Sequence, residues 1–137
     1  FEMRTLHYDP FSPDSTDLDK LLAESDYVSI HCPLTPETEG LIDARRLKLM
    51  KKNAILVNTS RGQVVDEEAL ADALDDGMIG GAAIDVMCAE PPDVKNRLLQ
   101  NPKCLVTPHV AAFSADFEKN FWAYSVEKLR EICSGIG

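Results

Sequence analysis

An α/β fold, a parallel sheet flanked by helices, is predicted here by two patterns. Short apolar runs alternate with amphipathic helical segments along the chain, as βαβ units require. One of those runs, Ala54 to Asn58, lacks the period-two alternation of a half-solvated strand, so it is expected to be central and covered on both faces. At 137 residues the chain is one domain's worth and long enough to bury a core without staples. No internal repeat or low-complexity tract competes with this reading.

The elements follow in order. Met3 to Tyr8 reads as a strand ending at Asp9-Pro10; Ser12-Pro13-Asp14 then turns the chain, and Leu18, Leu21 and Leu22 give a short helical face. Tyr27 to His31 reads as the second strand. Thr35-Pro36-Glu37 combines an N-cap, a proline at the first helical position and an acid in the first turn, which predicts a helix start, with Gly40 leaving open whether it continues to Met50. After the central run, Asp66-Glu67-Glu68 caps a helix and complements its dipole, Leu70, Ala73 and Leu74 form its buried face, and Gly77 ends it. Ile79 to Val86 is the next strand, with Gly80, Gly81, Ala82 and Ala83 small enough for close approach. Asn101-Pro102-Lys103 turns into a short strand, Leu105 to Thr107. From Ser114 a long helix runs to about Cys133, with Trp122, Val126, Leu129 and Cys133 on one stripe and Phe117, Phe121 and Tyr124 flanking it. So broad an apolar face needs more than one partner surface.

The 23 acidic and 14 basic residues give a net charge of -9, with no basic cluster longer than Arg45-Arg46 or Lys51-Lys52, which argues against nucleic-acid or anionic-membrane partners. Cys32, Cys88, Cys104 and Cys133 form no C-x-x-C pair or zinc-like grouping and read as reduced thiols of a cytosolic protein. No apolar run approaches the roughly 18 residues of a membrane span, and no signal-peptide pattern opens the chain. The opening on Phe1, without an initiator methionine, suggests a processed chain or an excised piece.

Three titratable residues each sit just past an apolar run: Arg61 after Asn58, Glu90 after Val86 and His109 after Thr107. If the runs are parallel strands, these side chains share the carboxyl edge of one sheet, where open α/β sheets bind ligands. Arg61 presents a permanently charged fork that can grip a carboxylate bidentately, or it pairs with a surface acid or caps a helix. His109, stiffened by Pro108, suits acid and base work near neutral pH if a partner sets its tautomer. Glu90, before Pro91-Pro92, is a candidate partner; the plainer readings are a structural histidine and a solvated loop acid. Asp9 ends the first run, where an acid accepts from adenine ribose hydroxyls and repels a 2′-phosphate; with no arginine from Pro10 to Lys20, NAD is favoured over NADP. An ordinary Asp-Pro turn is the alternative. Asp85 lies inside an otherwise apolar strand and needs a partner, either a backbone donor or a ligand amide. His31-Cys32 alone is poor support for a metal, and no cysteine stands beside an obvious base.

Taken together, Ser25-Asp26-Tyr27-Val28-Ser29-Ile30-His31-Cys32-Pro33-Leu34-Thr35-Pro36-Glu37-Thr38, Val57-Asn58-Thr59-Ser60-Arg61-Gly62-Gln63-Val64-Val65-Asp66-Glu67, Gly81-Ala82-Ala83-Ile84-Asp85-Val86, Glu90-Pro91 and Thr107-Pro108-His109 resemble the cofactor-binding domain of the NAD-dependent D-2-hydroxyacid dehydrogenases, which include phosphoglycerate, glycerate and D-lactate dehydrogenases. The resemblance covers essentially the whole chain and implies a Rossmann-like sheet, NAD as cofactor and a small 2-hydroxy or 2-keto acid as substrate. It implies that Arg61 orients the substrate carboxylate while the Glu90-His109 pair moves the proton during hydride transfer at substrate C2. It further implies that Asp9 holds the adenine ribose, that Cys32, Pro33 and Thr38 line the adenine side, and that Thr59 and Asp85 contact the nicotinamide end, where Arg61 and His109 also count as cofactor contacts. A homodimer through the cofactor domain would suit the apolar face around Trp122.

The chain departs from the family in one respect. Its glycines, Gly40, Gly62, Gly77, Gly80, Gly81, Gly135 and Gly137, nowhere form the G-x-G-x-x-G turn that cradles a pyrophosphate. The first strand, that turn and its helix are expected before Phe1, with most of the substrate domain; a short return is expected beyond Gly137. Residues 1–137 are thus expected to be a partial NAD-binding domain, inactive or nearly so alone, with its substrate domain absent. A non-catalytic, NAD-sensing module of the corepressor type is the alternative from a different class; a truncated remnant without a site is a third.

Overall fold

A computed structural model describes residues 2–135. Four short strands, β1 (Tyr27–Ile30), β2 (Ile55–Asn58), β3 (Gly81–Ile84) and β4 (Cys104–Val106), lie parallel and side by side in chain order. Every crossover therefore steps in the same direction, and because such connections are almost always right-handed they deliver their helices to one face. Helices α1 (Leu18–Glu24), α2 (Ala44–Leu47), α3 (Glu67–Asp75) and α4 (Arg97–Gln100) form that layer, each touching the next.

Burial follows from this winding. Val28, Ile30, Leu56, Ala82 and Ile84 point into the helical layer and meet Leu22, Leu47, Leu70, Leu74 and Leu98, all buried. Each such leucine contributes about 1.5–3 kcal/mol by leaving water. The alternate residues face outward: Tyr27 is 69% and Leu105 65% exposed. β2 is central, as expected, but the expectation that it is covered on both faces is corrected. A sheet wound in one direction covers one face only, and the described chain brings no helix to the other.

Local chemistry explains the helix ends. Asp17 caps α1 by accepting from Lys20 N, and Asp66 caps α3 by accepting from Ala69 N, both at 3.0 Å. Arg97 bridges from α4 to Glu68, Asp72 and Asp75 on α3. The long helix α5 (Ala115–Ser134) is capped by Ser114, but Phe117, Phe121, Trp122, Tyr124, Val126 and Leu129 are all exposed. The apolar stripe expected there is present, and no described element covers it.

Two other expectations differ. Met3 to Tyr8 forms no strand, because no described strand lies beside it; only Leu6 reaches the core. The helix expected from Thr35 is a turn through Pro36–Gly40: Gly40 adopts a left-handed φ of 62°, which a continuing right-handed helix cannot contain, and the chain restarts as α2 under the Asp43 cap.

Candidate active site

The register aligns the strand ends in one row, Ile30 beside Asn58, Asn58 beside Ile84 and Ile84 beside Val106. The next residues, His31, Thr59, Asp85 and Thr107, therefore begin four neighbouring loops on the carboxyl edge. Asp85 N donates to Asn58 O at 2.9 Å and Thr107 N to Ile84 O at 3.0 Å, so the ladder continues one step beyond the regular strands.

Asn58 shapes the loop that begins at Thr59. Only 1% exposed, its side chain donates to Arg61 O at 2.9 Å and accepts from Ser60 N and Ser60 Oγ at 3.0 and 3.1 Å. A buried amide with all these bonds made rigidifies the turn that presents Arg61. Arg61 is exposed, donates from Nη1 to Ser60 O at 2.6 Å, and forms no ion pair among the described residues. It stands at the N-cap position of the 3-10 turn Gly62–Val64, as the capping reading places it, but its side chain makes no cap bond.

Asp85 shapes the opposite loop. It is 5% exposed; Oδ1 accepts from Thr107 Oγ1 and from Val110 N at 2.9 Å, and Oδ2 from Ala111 N at 2.9 Å. Its partners are thus a hydroxyl and two backbone donors. Burial opposes the charge, and the bonds from Thr107, Ala111 and Val110 outweigh it, holding the carboxyl below its ordinary range. The loop wrapped around this carboxylate carries His109 at φ 55°, a left-handed conformation that costs about 1–3 kcal/mol outside glycine. His109 N donates to Asp85 O at 2.9 Å, so one aspartate holds the strained residue with its backbone carbonyl and the residues on either side of it with its carboxylate.

The strain aims the imidazole at Glu90. His109 Nδ1 meets Glu90 Oε2 at 2.8 Å, and Glu90 Oε1 accepts from Met87 N at 3.0 Å. The hydrogen bond with His109, then the one from Met87, with a further contribution from the charge of Arg61, holds the Glu90 carboxyl below its usual range. With Nδ1 directed at the carboxylate, Nε2 is the nitrogen left for a substrate. The structure therefore brings Glu90 and His109 into direct contact and places Arg61 within electrostatic reach.

The remaining expected positions are less closely joined. Thr59 is exposed directly after β2. Past β1, Cys32 is half-buried with its thiol pushed up by burial, Pro33 is exposed, and Thr38 Oγ1 closes the turn by donating to Pro33 O at 2.7 Å and accepting from Thr35 N at 2.8 Å. Asp9 sits in an exposed turn outside the sheet, its Oδ1 accepting from Phe11 N at 2.9 Å. Exposed polar groups at the ends of adjacent parallel strands, flanked by a neutral thiol and a proline, fit a flat dinucleotide lying along the edge. Burial, then Glu67, pushes the Cys88 thiol up to about 12, which leaves it protonated and not nucleophilic. Among the described residues no group of three or more His, Cys, Asp or Glu is placed to hold a metal, and no helix is long and apolar enough to cross a membrane.

Sequence reasoning missed Asn58, whose signal was a polar residue closing an apolar strand, and Gly62. A Cβ on Gly62 would fall inside the van der Waals envelope of Met87 C and O and Cys88 N, so the Arg61 turn and the segment leading to Glu90 touch backbone to backbone. That approach joins distant stretches of chain and leaves no local signature.

Residues 1–111 match the family profile described as D-isomer specific 2-hydroxyacid dehydrogenase, NAD binding domain. The chain is 50% identical to glycerate dehydrogenase of Methylorubrum extorquens over 112 residues, 80% of this chain and 36% of that protein. With D-3-phosphoglycerate dehydrogenase of Synechocystis it shares 38% identity across 98% of this chain and 26% of the relative. The solved D-lactate dehydrogenase with NAD+ from Lactobacillus jensenii superposes with a TM-score of 0.84 at 31% identity, covering 95% of this chain and 45% of that one. The chain spans less than half the length of each of these relatives.

Proposed function

We propose that this chain, which belongs to the D-isomer specific 2-hydroxyacid dehydrogenase family as its NAD binding domain, is part of an oxidoreductase acting at C2 of a D-2-hydroxy acid or 2-keto acid. The observation that carries the proposal is the 2.8 Å Glu90–His109 contact at the sheet edge where Arg61 stands without an ion-pair partner among the described residues. Arg61 binds the substrate carboxylate bidentately and orients C2. His109, held by Glu90, gives a proton from Nε2 to the carbonyl oxygen in reduction and takes it back from the hydroxyl in oxidation. Glu90, kept ionised, stabilises the protonated ring and fixes its tautomer, while Asp85 holds the loop that aims it.

NAD, when bound, supplies or accepts the hydride. Asp9 would hold its adenine ribose, Cys32, Pro33 and Thr38 its adenine, and Thr59, Asp85, Arg61 and His109 its nicotinamide end. The pyrophosphate finds no glycine-rich cradle in residues 1–137, so the chain by itself is inactive or nearly so, and the substrate domain belongs to sequence outside it. Four free cysteines support a cytosolic protein. The exposed aromatic residues of α5 support a homodimer through the cofactor domain.

The test is full-length protein assayed against a panel of 2-keto acids with NADH and NADPH. Wild type should use NADH. Arg61→Ala should lower kcat/KM roughly 10- to 150-fold, the worth of a hydrogen-bonded charge, and His109→Ala should lower kcat about 10²- to 10⁴-fold. Wild-type turnover by His109→Ala, or an Arg61→Ala variant that loses only partner binding, would overturn the assignment.

A further inference from the structure

Glu90 sits on a stretch without regular structure that follows β3 after Ile84 and reaches α4 only after Asn96. Glu90 is itself exposed, and its bond to Met87 N lies within the same stretch. Something must hold this loop against the rest of the site, since a floppy carboxylate would not fix an imidazole. The peptide of Cys88 is gripped for that purpose from three sides. Its N–H donates to Glu67 Oε1 in a short, charge-assisted bond, its carbonyl accepts from Gln63 Nε2 at 3.2 Å, and Gly62 lies flat against it.

Glu67 does more than meet the entrance of the loop. Its Oε2 accepts from Asn96 Nδ2 at 3.1 Å, and Asn96 at the exit caps α4 by accepting from Leu98 N at 2.9 Å. One carboxylate therefore spans both ends of the segment that carries Glu90. As a first-turn acid of α3, Glu67 is expected to complement the dipole or pair with a surface cation. Its neighbours on the helix do the latter: Glu68, Asp72 and Asp75 all pair with Arg97. Glu67 has no cationic partner among the described residues, and both oxygens are committed to the loop.

We propose that Glu67 is a positioning residue that clasps the 87–96 loop at Cys88 and Asn96 and thereby sets Glu90 against His109 in register with Arg61. The chemical consequence rests on the function proposed above; the clasp itself does not. Loss of the clasp lets Glu90 drift from His109 while Arg61 stays in the turn held by Asn58. Proton transfer weakens and carboxylate binding does not.

The experiment uses the full-length protein with Glu67→Ala, Glu67→Gln, Glu90→Gln and the Glu67→Ala/Glu90→Gln double variant. Two readouts are taken, steady-state kinetics with a 2-keto acid and NADH, and hydrogen exchange of the Cys88 amide. Glu67→Ala should lower kcat about tenfold, short of the roughly hundredfold that a full 1 Å misplacement brings, with KM for the keto acid within about twofold. Glu67→Gln keeps an acceptor for Cys88 N and should restore most of kcat. In the Glu90→Gln background Glu67→Ala should add nothing, since it acts through Glu90. Cys88 amide protection should vanish in Glu67→Ala and persist in Glu67→Gln. Unchanged protection overturns the clasp, as does an active wild type whose kcat and KM move together or whose Glu67→Ala and Glu90→Gln effects add independently. A wild type that reduces no 2-keto acid refutes the proposed function alone, and the exchange result then still decides the clasp.

Discussion

Replacing Gly62 with alanine adds one methyl group at the tightest backbone approach near the site. The new Cβ would overlap Met87 C, Met87 O and Cys88 N, which are backbone atoms with no rotamer to adjust. With the new Cβ so far inside the envelope of Met87 C, reaching ordinary carbon contact at about 3.5 Å means that the Arg61 turn and the Met87–Cys88 segment part by more than about 1 Å. Overpacking of this kind costs about 1–3 kcal/mol in stability. The larger consequence is geometric, because Arg61 rides on one side of the contact and Glu90 on the other. A shift of about 1 Å or more between Arg61 and Glu90, which orients His109 in the proposed mechanism, should lower kcat/KM roughly 100-fold. NADH oxidation by the full-length variant measures this, with thermal melting alongside. Gly77→Ala is the control: its φ of 65° makes any side chain strained, yet it sits at the far end of α3 with only Lys103 Nζ nearby. It should lose about 1–2 kcal/mol of stability with unchanged turnover. A Gly62→Ala enzyme within twofold of wild type, or a Gly77→Ala enzyme equally impaired, would refute the reasoning.

Asn58→Ala removes three hydrogen bonds from a buried site and should cost about 2–4 kcal/mol in denaturant unfolding while raising KM for the keto acid, because the Arg61 turn loosens. Asp85→Asn swaps an acceptor oxygen for an amide group, so that Thr107 and Val110, or else Ala111, face a donor instead of an acceptor. It should cost about 1–3 kcal/mol and lower kcat by releasing His109 from its left-handed conformation. Asp85 also contributes to acid sensitivity. Its carboxyl is held below the ordinary range in the folded protein, so the unfolded chain binds that proton more readily. The stabilisation is complete above the unfolded value of about 4 and is lost as pH falls through the lower folded value. Acid unfolding followed by circular dichroism should therefore be less steep below about pH 4 in Asp85→Asn than in wild type.

How much of this was legible depended on how local the cause was. Asp66 as a cap, the start of the long helix at Ser114, the Leu70–Leu74 face and the central place of β2 follow from neighbours in sequence, and the structure has all of them. The Glu90–His109 contact was legible at one remove, because parallel strands bring residues beyond their carboxyl ends to a common edge. Met3 to Tyr8 has the composition of a strand, but composition supplies no partner, and a segment with no neighbouring strand cannot form a ladder. The Thr35 turn carries every helix-start signal and is overruled by one left-handed glycine. Glu67 read as a dipole complement because its real partners, Cys88 and Asn96, are more than twenty residues away in sequence. Asn58 likewise looked like the last residue of a strand, when its amide builds the turn that follows.

The alignment of strand ends in a single row bears on how this domain tolerates change in length. Because Thr59, Asp85 and Thr107 are placed by ladder register and not by the path between them, residues inserted in the turn after α3 at Asp76–Gly77, or in the turn after α4 at Pro102–Lys103, would lengthen a crossover without displacing the edge. Deletions from Arg61 to Glu67 or from Met87 to Asn96 have no such freedom. Related chains should accordingly vary in size through the backs of their helices and hold constant the spacing within those two short stretches.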